Sequence, residues 1–210
     1  MSKELILKMS ISVDGFVAGP NGEIDWIFRS RSEASTQWLV DLLGQVSLHA
    51  IGHRSYDMAD YWPTSTHPLA PAMNEIPKAV FSRSGQIPTP SMGKTKAALA
   101  DATEDTTALQ SAMDSWMNPI MTGKDLIGDI QRLKAENGKP ILAHGGASFA
   151  TSLIAAHLVD VFHLVVHPII LGRGLSIFAG LEEPLDLKLE DLKQFESGGV
   201  IKTYRPVYPQ

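Results

Sequence analysis

Leu5, Leu7, Met9 and Ile11 alternate with Ile6, Lys8, Ser10 and Ser12, and the run stops at Asp14-Gly15. A period of two ending on Asp-Gly predicts a strand that runs into a turn. Residues 32–44 carry helical spacing instead, with Trp38, Leu39, Leu42 and Leu43 on one face, Ser32 placed as the cap and Gly44 as the stop. Leu48-His49-Ala50-Ile51-Gly52 and Lys78-Ala79-Val80-Phe81-Ser82 read as short strands, and after the first of them Ser55 is placed to cap a helical turn. Residues 85–93, rich in proline and glycine, predict loop, and 94–114, rich in Ala, Thr and Asp, an exposed helix. Helical spacing returns over 124–137 at Leu126, Ile127, Ile130 and Leu133, closes at Gly138 and leads into the strand Pro140-Ile141-Leu142-Ala143-His144.

Gly145-Gly146-Ala147-Ser148 then opens a helix through Ala156, and 161–167 is a dense β-branched strand. Strand, glycine turn, helix and strand make a βαβ unit. The chain finishes with alternation at Leu185, Leu187 and Leu189 and a hairpin closed at Ser197-Gly198-Gly199. Parallel units followed by a terminal antiparallel hairpin predict an α/β domain with a central mixed, mostly parallel sheet between helices. At 210 residues a single domain is expected, with 85–114 as an insertion.

A net charge of −5 with scattered Lys and Arg leaves no electrostatic footprint for nucleic acid. The chain has no Cys, which excludes thiolate nucleophiles and Cys-ligated zinc and suits a reducing cytoplasm. Its first residues are too charged for a secretory signal, and no apolar stretch approaches a membrane span, so a soluble protein without membrane partners is expected.

Two glycine turns stand between a strand and a predicted helix: Gly52-His53-Arg54-Ser55 and Gly145-Gly146-Ala147-Ser148. Each suits a phosphate, because glycine lets an anion reach backbone N–H groups and a helix start supplies unpaired donors and partial positive charge. Ordinary strand-to-helix packing is the alternative for either turn alone. Two of them, with Arg54 at one, favour a dinucleotide. Ser82-Arg83-Ser84 ends a strand with a fixed cation between hydroxyls, a match to a ribose 2′-phosphate. Gly172-Arg173-Gly174 lacks the third glycine of a Rossmann fingerprint, so the dinucleotide must be held differently.

Gly93-Lys94-Thr95 resembles the tail of a phosphate loop, but Pro88 stands where its first glycine belongs. The pairs His49/His53 and His163/His167, read on strands, are about 13 Å apart and do not chelate a metal. Gly146-Ala147-Ser148-Phe149-Ala150 is a near nucleophile elbow, which keeps a serine hydrolase using Ser148 as an alternative; Asp160 and His163 are poorly spaced partners for it. A non-catalytic nucleotide-binding protein is the other alternative.

The loop DGFVAGPNGEIDW, the GHRSY turn, VFSR, HGGAS and HPIILGRGLSIFAGL, taken in this order, resemble the dihydrofolate-reductase-like proteins related to the riboflavin-pathway reductase domain. The resemblance implies their three-layer fold and an NADPH-dependent reductase acting on a small pterin-like, pyrimidine-like or carbonyl substrate, commonly as a homodimer. NADPH would meet Gly52, His53, Arg54, Ser55, Gly145, Gly146, Ala147 and Ser148 at its phosphates and Ser82 and Arg83 near the adenosine. The loop 12–26, with Val13 and Trp26, would lie beside the nicotinamide; His167, at a strand end where structural use is the safer reading, is the candidate to face the substrate. Hydride reduction of C=O or C=N needs a proton, for which Asp14, Asp25 and Asp60 are candidates; turn, cap and surface roles stand open for each. Five residues after Trp26, where dihydrofolate reductases carry an acid, stands Arg31, so dihydrofolate is expected to be a poor substrate; Glu33, two residues on, is the substitute acid if the helix begins later.

Overall fold

The computed structural model describes residues 2–87 and 89–208; Pro88, which breaks the phosphate-loop spacing, lies outside them. Eight strands form one sheet: β1 (Leu5–Ser12), β2 (Leu48–Gly52), β3 (Lys78–Phe81), β4 (Met121–Gly123), β5 (Ile141–His144), β6 (Val161–His167), β7 (Asp186–Gln194) and β8 (Val200–Val207). Their order is β4-β3-β2-β5-β1-β6-β8-β7. The pairs from β4 to β6 are parallel, while β8 runs antiparallel to both β6 and β7. The βαβ unit predicted around Gly145 and Gly146 is present, its two strands flanking β1.

Both faces of the sheet are covered. On one, Leu5, Leu7, Met9 and Ile11 pack against α5 (Leu126–Ala135) and α6 (Ala147–Ala155) through Ile130, Leu133, Phe149, Leu153 and Ile154. On the other, Ile6, Leu142 and Val161 meet α1 (Glu33–Gly44), α2 (Ala70–Glu75) and α4 (Thr107–Met117) through Leu42, Leu43, Met73 and Trp116. Each fully buried aliphatic or aromatic side chain contributes about 1.5–3 kcal/mol to holding the layers together. Ser32 caps α1 as expected, accepting from Ser35 N–H in a reciprocal capping box.

One expectation changes and one open point closes. The single exposed helix over 94–114 is instead two helices, α3 (Gly93–Asp101) and α4, separated by a turn in which the Asp105 carboxylate accepts from Thr107 N–H at 2.9 Å. The segment is not merely exposed: Thr95 and Ala112 are buried, and just beyond it the fully buried Trp116 takes a hydrogen bond from Tyr56 on its carbonyl and donates one to Asn74. The second concerns β1, for whose polar positions the alternation alone set no burial. Ser10 and Ser12 are only 9% and 2% exposed, because a central strand in this sheet has no solvent face.

Candidate active site

Strands β3, β2 and β5 lie side by side and end together, so the loops after them form one groove at the carboxyl edge of the sheet. It is lined by Gly52, His53 and Arg54 after β2, Ser82 and Arg83 after β3, Lys124 beyond β4, and Gly146 and Ser148 after β5. The two glycine turns of the sequence are thus brought to one place, with the proposed 2′-phosphate clamp beside them.

Close packing dictates glycine at both turns. A Cβ at Gly52 would stand 2.8 Å from Phe149 Cβ, and one at Gly145 would stand 2.9 Å from Ser55 Oγ. Gly145 and Gly146 also hold φ of 78° and 76°, a region that side chains disfavour. Ser55 therefore does not cap the 3-10 turn His53–Asp60, as expected; it fills the space against Gly145. Helix α6 begins without a side-chain cap, and its first intrahelical bond runs from Ala150 N–H to Gly146, so among the described residues the preceding N–H groups are open to an anion. Arg54, Arg83 and Lys124 make no ion pair among the described residues, and no carboxylate lines the groove. A cationic trough ending on free helix N–H groups fits a phosphorylated dinucleotide.

Towards α1, the floor of the sheet turns from apolar to polar. Lys8, Ser10 and Ser12 of β1 share a face with His144 of β5 and with His163 and His167 of β6, in the registers Lys8↔His144, Lys8↔His163 and Ser12↔His167. Burial, helped by the Arg31 cation, pushes the Lys8 ammonium down to about 8. Burial and the Lys8 charge also push His144 and His167 down to about 4; His163 falls to about 4 through burial, against an opposing pull from Asp191. At neutral pH this leaves one protonated amine among neutral imidazoles. Trp26 and His167 meet edge to face at 5.4 Å. His167 Nδ1 bonds Ser30 Oγ at 2.7 Å, while Nε2 is sealed without a partner. A buried donor or acceptor of that kind is costly unless a ligand meets it.

The candidate carboxylates are all engaged elsewhere or exposed. Asp14 accepts from Ser12 Oγ and from the N–H groups of Leu171 and Gly172, which lower its pKa and tie the loop after β1 to the segment after β6. Val13, 60% exposed, donates its N–H to Ile169 in the same clamp. Asp25 is exposed and 3.6 Å from Arg29. Burial tends to raise Asp60, but the N–H groups of Lys94 and Thr95 and the Thr95 hydroxyl outweigh it, so Asp60 stays ionised and anchors the start of α3. Ser148 has no hydrogen bond to a histidine or carboxylate among the described residues. Asp160 precedes β6, at the far end of a strand spanning roughly 20 Å, where it pairs with Lys134 and Leu5 N–H. No hydrolase triad is assembled.

Lys8, Ser30, His144 and His163 form the part of the site that motif reading passed over. The available signal was a lysine and two serines at consecutive same-face positions of a central strand.

An α/β sheet of this order, with a groove across the ends of its parallel strands, has the dihydrofolate-reductase-like fold. The chain matches the RibD C-terminal domain over residues 3–201 and belongs to that family. It is 28% identical over 208 residues to the uncharacterized Bacillus subtilis protein YyaP, covering 96% of this chain and 94% of the relative. Among solved structures, a putative riboflavin biosynthesis protein from Shewanella sp. PV-4 superposes with a TM-score of 0.68 at 18% identity, covering 99% of this chain and all of that one (100%). A deaminase and 5-amino-6-(5-phosphoribosylamino)uracil reductase from Thermotoga maritima superposes with a TM-score of 0.66 at 15% identity, over 98% of this chain and 57% of that one.

Proposed function

We propose that this protein is an NADPH-dependent reductase that reduces a C=O or C=N bond of a small heterocyclic or carbonyl compound. The observation that carries the reading is the presence of two unlike environments on one sheet: a cationic groove lined by Arg54, Arg83 and Lys124, and, on β1 next to β5, a buried ammonium among neutral imidazoles. In the groove, Gly52, His53, Arg54, Ser55 and residues Gly145, Gly146, Ala147 and Ser148 would hold the phosphates of NADPH, with Ser82 and Arg83 at the 2′-phosphate. NADPH supplies the hydride; the chain's work is to bind, orient, exclude water and deliver a proton.

Lys8 is the proton donor we assign in preference to Asp14, Asp25 and Asp60. Those carboxylates are exposed or held ionised by hydrogen bonds, whereas an ammonium near 8 is protonated at neutral pH and close enough to solution pH to give its proton up. Trp26 and His167 close the site on the side of the 12–26 loop. Arg31, stacked over Phe28 and bonded to His67, puts a cation where a protonated pterin would need a carboxylate, so dihydrofolate fits poorly. The exposed outer strand β7, with Leu189 and Leu192, is the surface we assign to a homodimer, and the absence of cysteine suits the cytoplasm. Among the described residues no helix is long and apolar enough to cross a membrane. A screen of NADPH oxidation across pterins, pyrimidinones, quinones and small carbonyls tests the reading; turnover of a member of these classes supports it, and hydrolysis of activated esters without NADPH oxidation defeats it.

A further inference from the structure

His49 is fully buried on β2, beside β5. The register pairs His49 with Leu142, which puts His144 two residues further along the same face. The rings meet: their centroids are 4.8 Å apart, and His144 Nε2 lies 3.1 Å from His49 Nδ1. The other nitrogen of His49, Nε2, faces the Ala72 carbonyl of α2 at 3.4 Å, a long contact.

The direction of these hydrogen bonds follows from what each atom can do. A carbonyl only accepts, so His49 Nε2 carries the hydrogen. Burial, with His144 and Lys78 nearby, holds His49 well below the ordinary histidine range, so its ring is neutral and Nδ1 is a bare acceptor. His144 Nε2 must therefore donate. Since that ring is neutral too, its lone pair is on Nδ1. His144 is only half-buried, and Nδ1 finds no hydrogen bond among the described residues and is not one of the sealed orphan atoms. Lys8 stands beside it in register on the neighbouring strand β1.

We propose that His49 is a positioning residue that sets the tautomer of His144, so that Nδ1 of His144 stands as a hydrogen-bond acceptor beside the Lys8 ammonium. That acceptor receives an N–H or O–H of the substrate, a step that rests on the reductase reading; the tautomer itself does not.

The test is a long-range proton–nitrogen correlation spectrum of protein labelled with 15N-histidine at neutral pH, with the two rings assigned through His49→Asn and His144→Gln. Both rings are expected to carry hydrogen on Nε2 alone. His49→Leu should release His144 into a mixture of tautomers, and His49→Asn, whose amide oxygen can take the place of Nδ1, should restore the single form. With a substrate from the oxidation screen, kcat/KM should fall about fivefold in His49→Leu, the worth of one oriented hydrogen bond, and return in His49→Asn. Hydrogen on Nδ1 of His144 in the native protein, a mixture there, or a His144 signal indifferent to His49→Leu overturns the proposal. If His49→Leu does not fold, the native spectrum decides. Absence of turnover by the native enzyme counts against the reductase reading alone.

Discussion

Replacing Lys8 with methionine keeps most of the side-chain volume and removes the ammonium. If Lys8 gives the proton that accompanies the hydride, Lys8→Met should lower kcat by about 10²–10⁴-fold, the usual contribution of a positioned general acid. Binding of NADPH should hardly change, since Lys8 is not among the residues lining the cationic groove. The native pH profile carries the sign. Lys8 acts when protonated and loses its proton near 8, so kcat/KM should be level below about 8 and fall tenfold per pH unit above it. Burial is the larger cause of the lowered pKa and Arg31 the smaller, so Arg31→Gln should move the falling limb to higher pH without abolishing it. Steady-state rates from NADPH oxidation between pH 6 and 10 read the limb, and the 13C shift of the Lys8 side chain over the same range reads the titration itself. A Lys8 that titrates at the ordinary 10.5, or a Lys8→Met enzyme within twofold of native, refutes the assignment.

Three further outcomes are expected. Arg83→Ala should weaken NADPH by about 10- to 150-fold while leaving NADH nearly unchanged, because a charge-assisted bond to the 2′-phosphate is worth about 1.5–3 kcal/mol; calorimetry with both cofactors checks it. Gly52→Ala, with its new Cβ 2.8 Å from the Cβ of Phe149, should cost about 1–3 kcal/mol in urea unfolding and weaken NADPH as the two turns part. Lys78 is fully buried, bonded to Asn74 and Ser115, and burial pushes it down to about 7. Between that value and its unfolded 10.5 the unfolded chain holds the extra proton, so native stability should rise with pH across this window, by on the order of 4 kcal/mol relative to Lys78→Met; unfolding curves that keep a constant gap from pH 6 to 10 speak against it.

Local pattern made much of the sheet legible. The runs 48–52 and 161–167 were expected as strands and form β2 and β6 with those bounds, because dense β-branched or apolar segments bounded by turn residues have few other uses. Ser32 announced α1, and the paired glycine turns pointed to the groove that β2 and β5 build. Long-range coverage was not legible. Lys8, Ser10 and Ser12 alternate as a half-exposed strand would, and only the helices laid over both faces turn that polar stripe into the floor of a site. Likewise nothing local joins His49 to His144 across 95 positions. Short elements escaped for a different reason: the three residues of β4 and the 3-10 turn Asp25–Ser30 are held by their neighbours and carry too little pattern of their own. The break between α3 and α4 falls at a turn where Asp105 accepts from Thr107, and Trp116 near the end of α4 is buried in the core, which an exposed-helix reading of 94–114 did not anticipate.

We assign NADPH to the groove between the two glycine turns. Isothermal titration calorimetry of the purified protein against NADPH and NADH tests it without knowledge of the substrate. Saturable binding of NADPH at one site per chain, tighter than NADH, is the predicted result; no binding of either nucleotide, or equal affinity for the two, would contradict it.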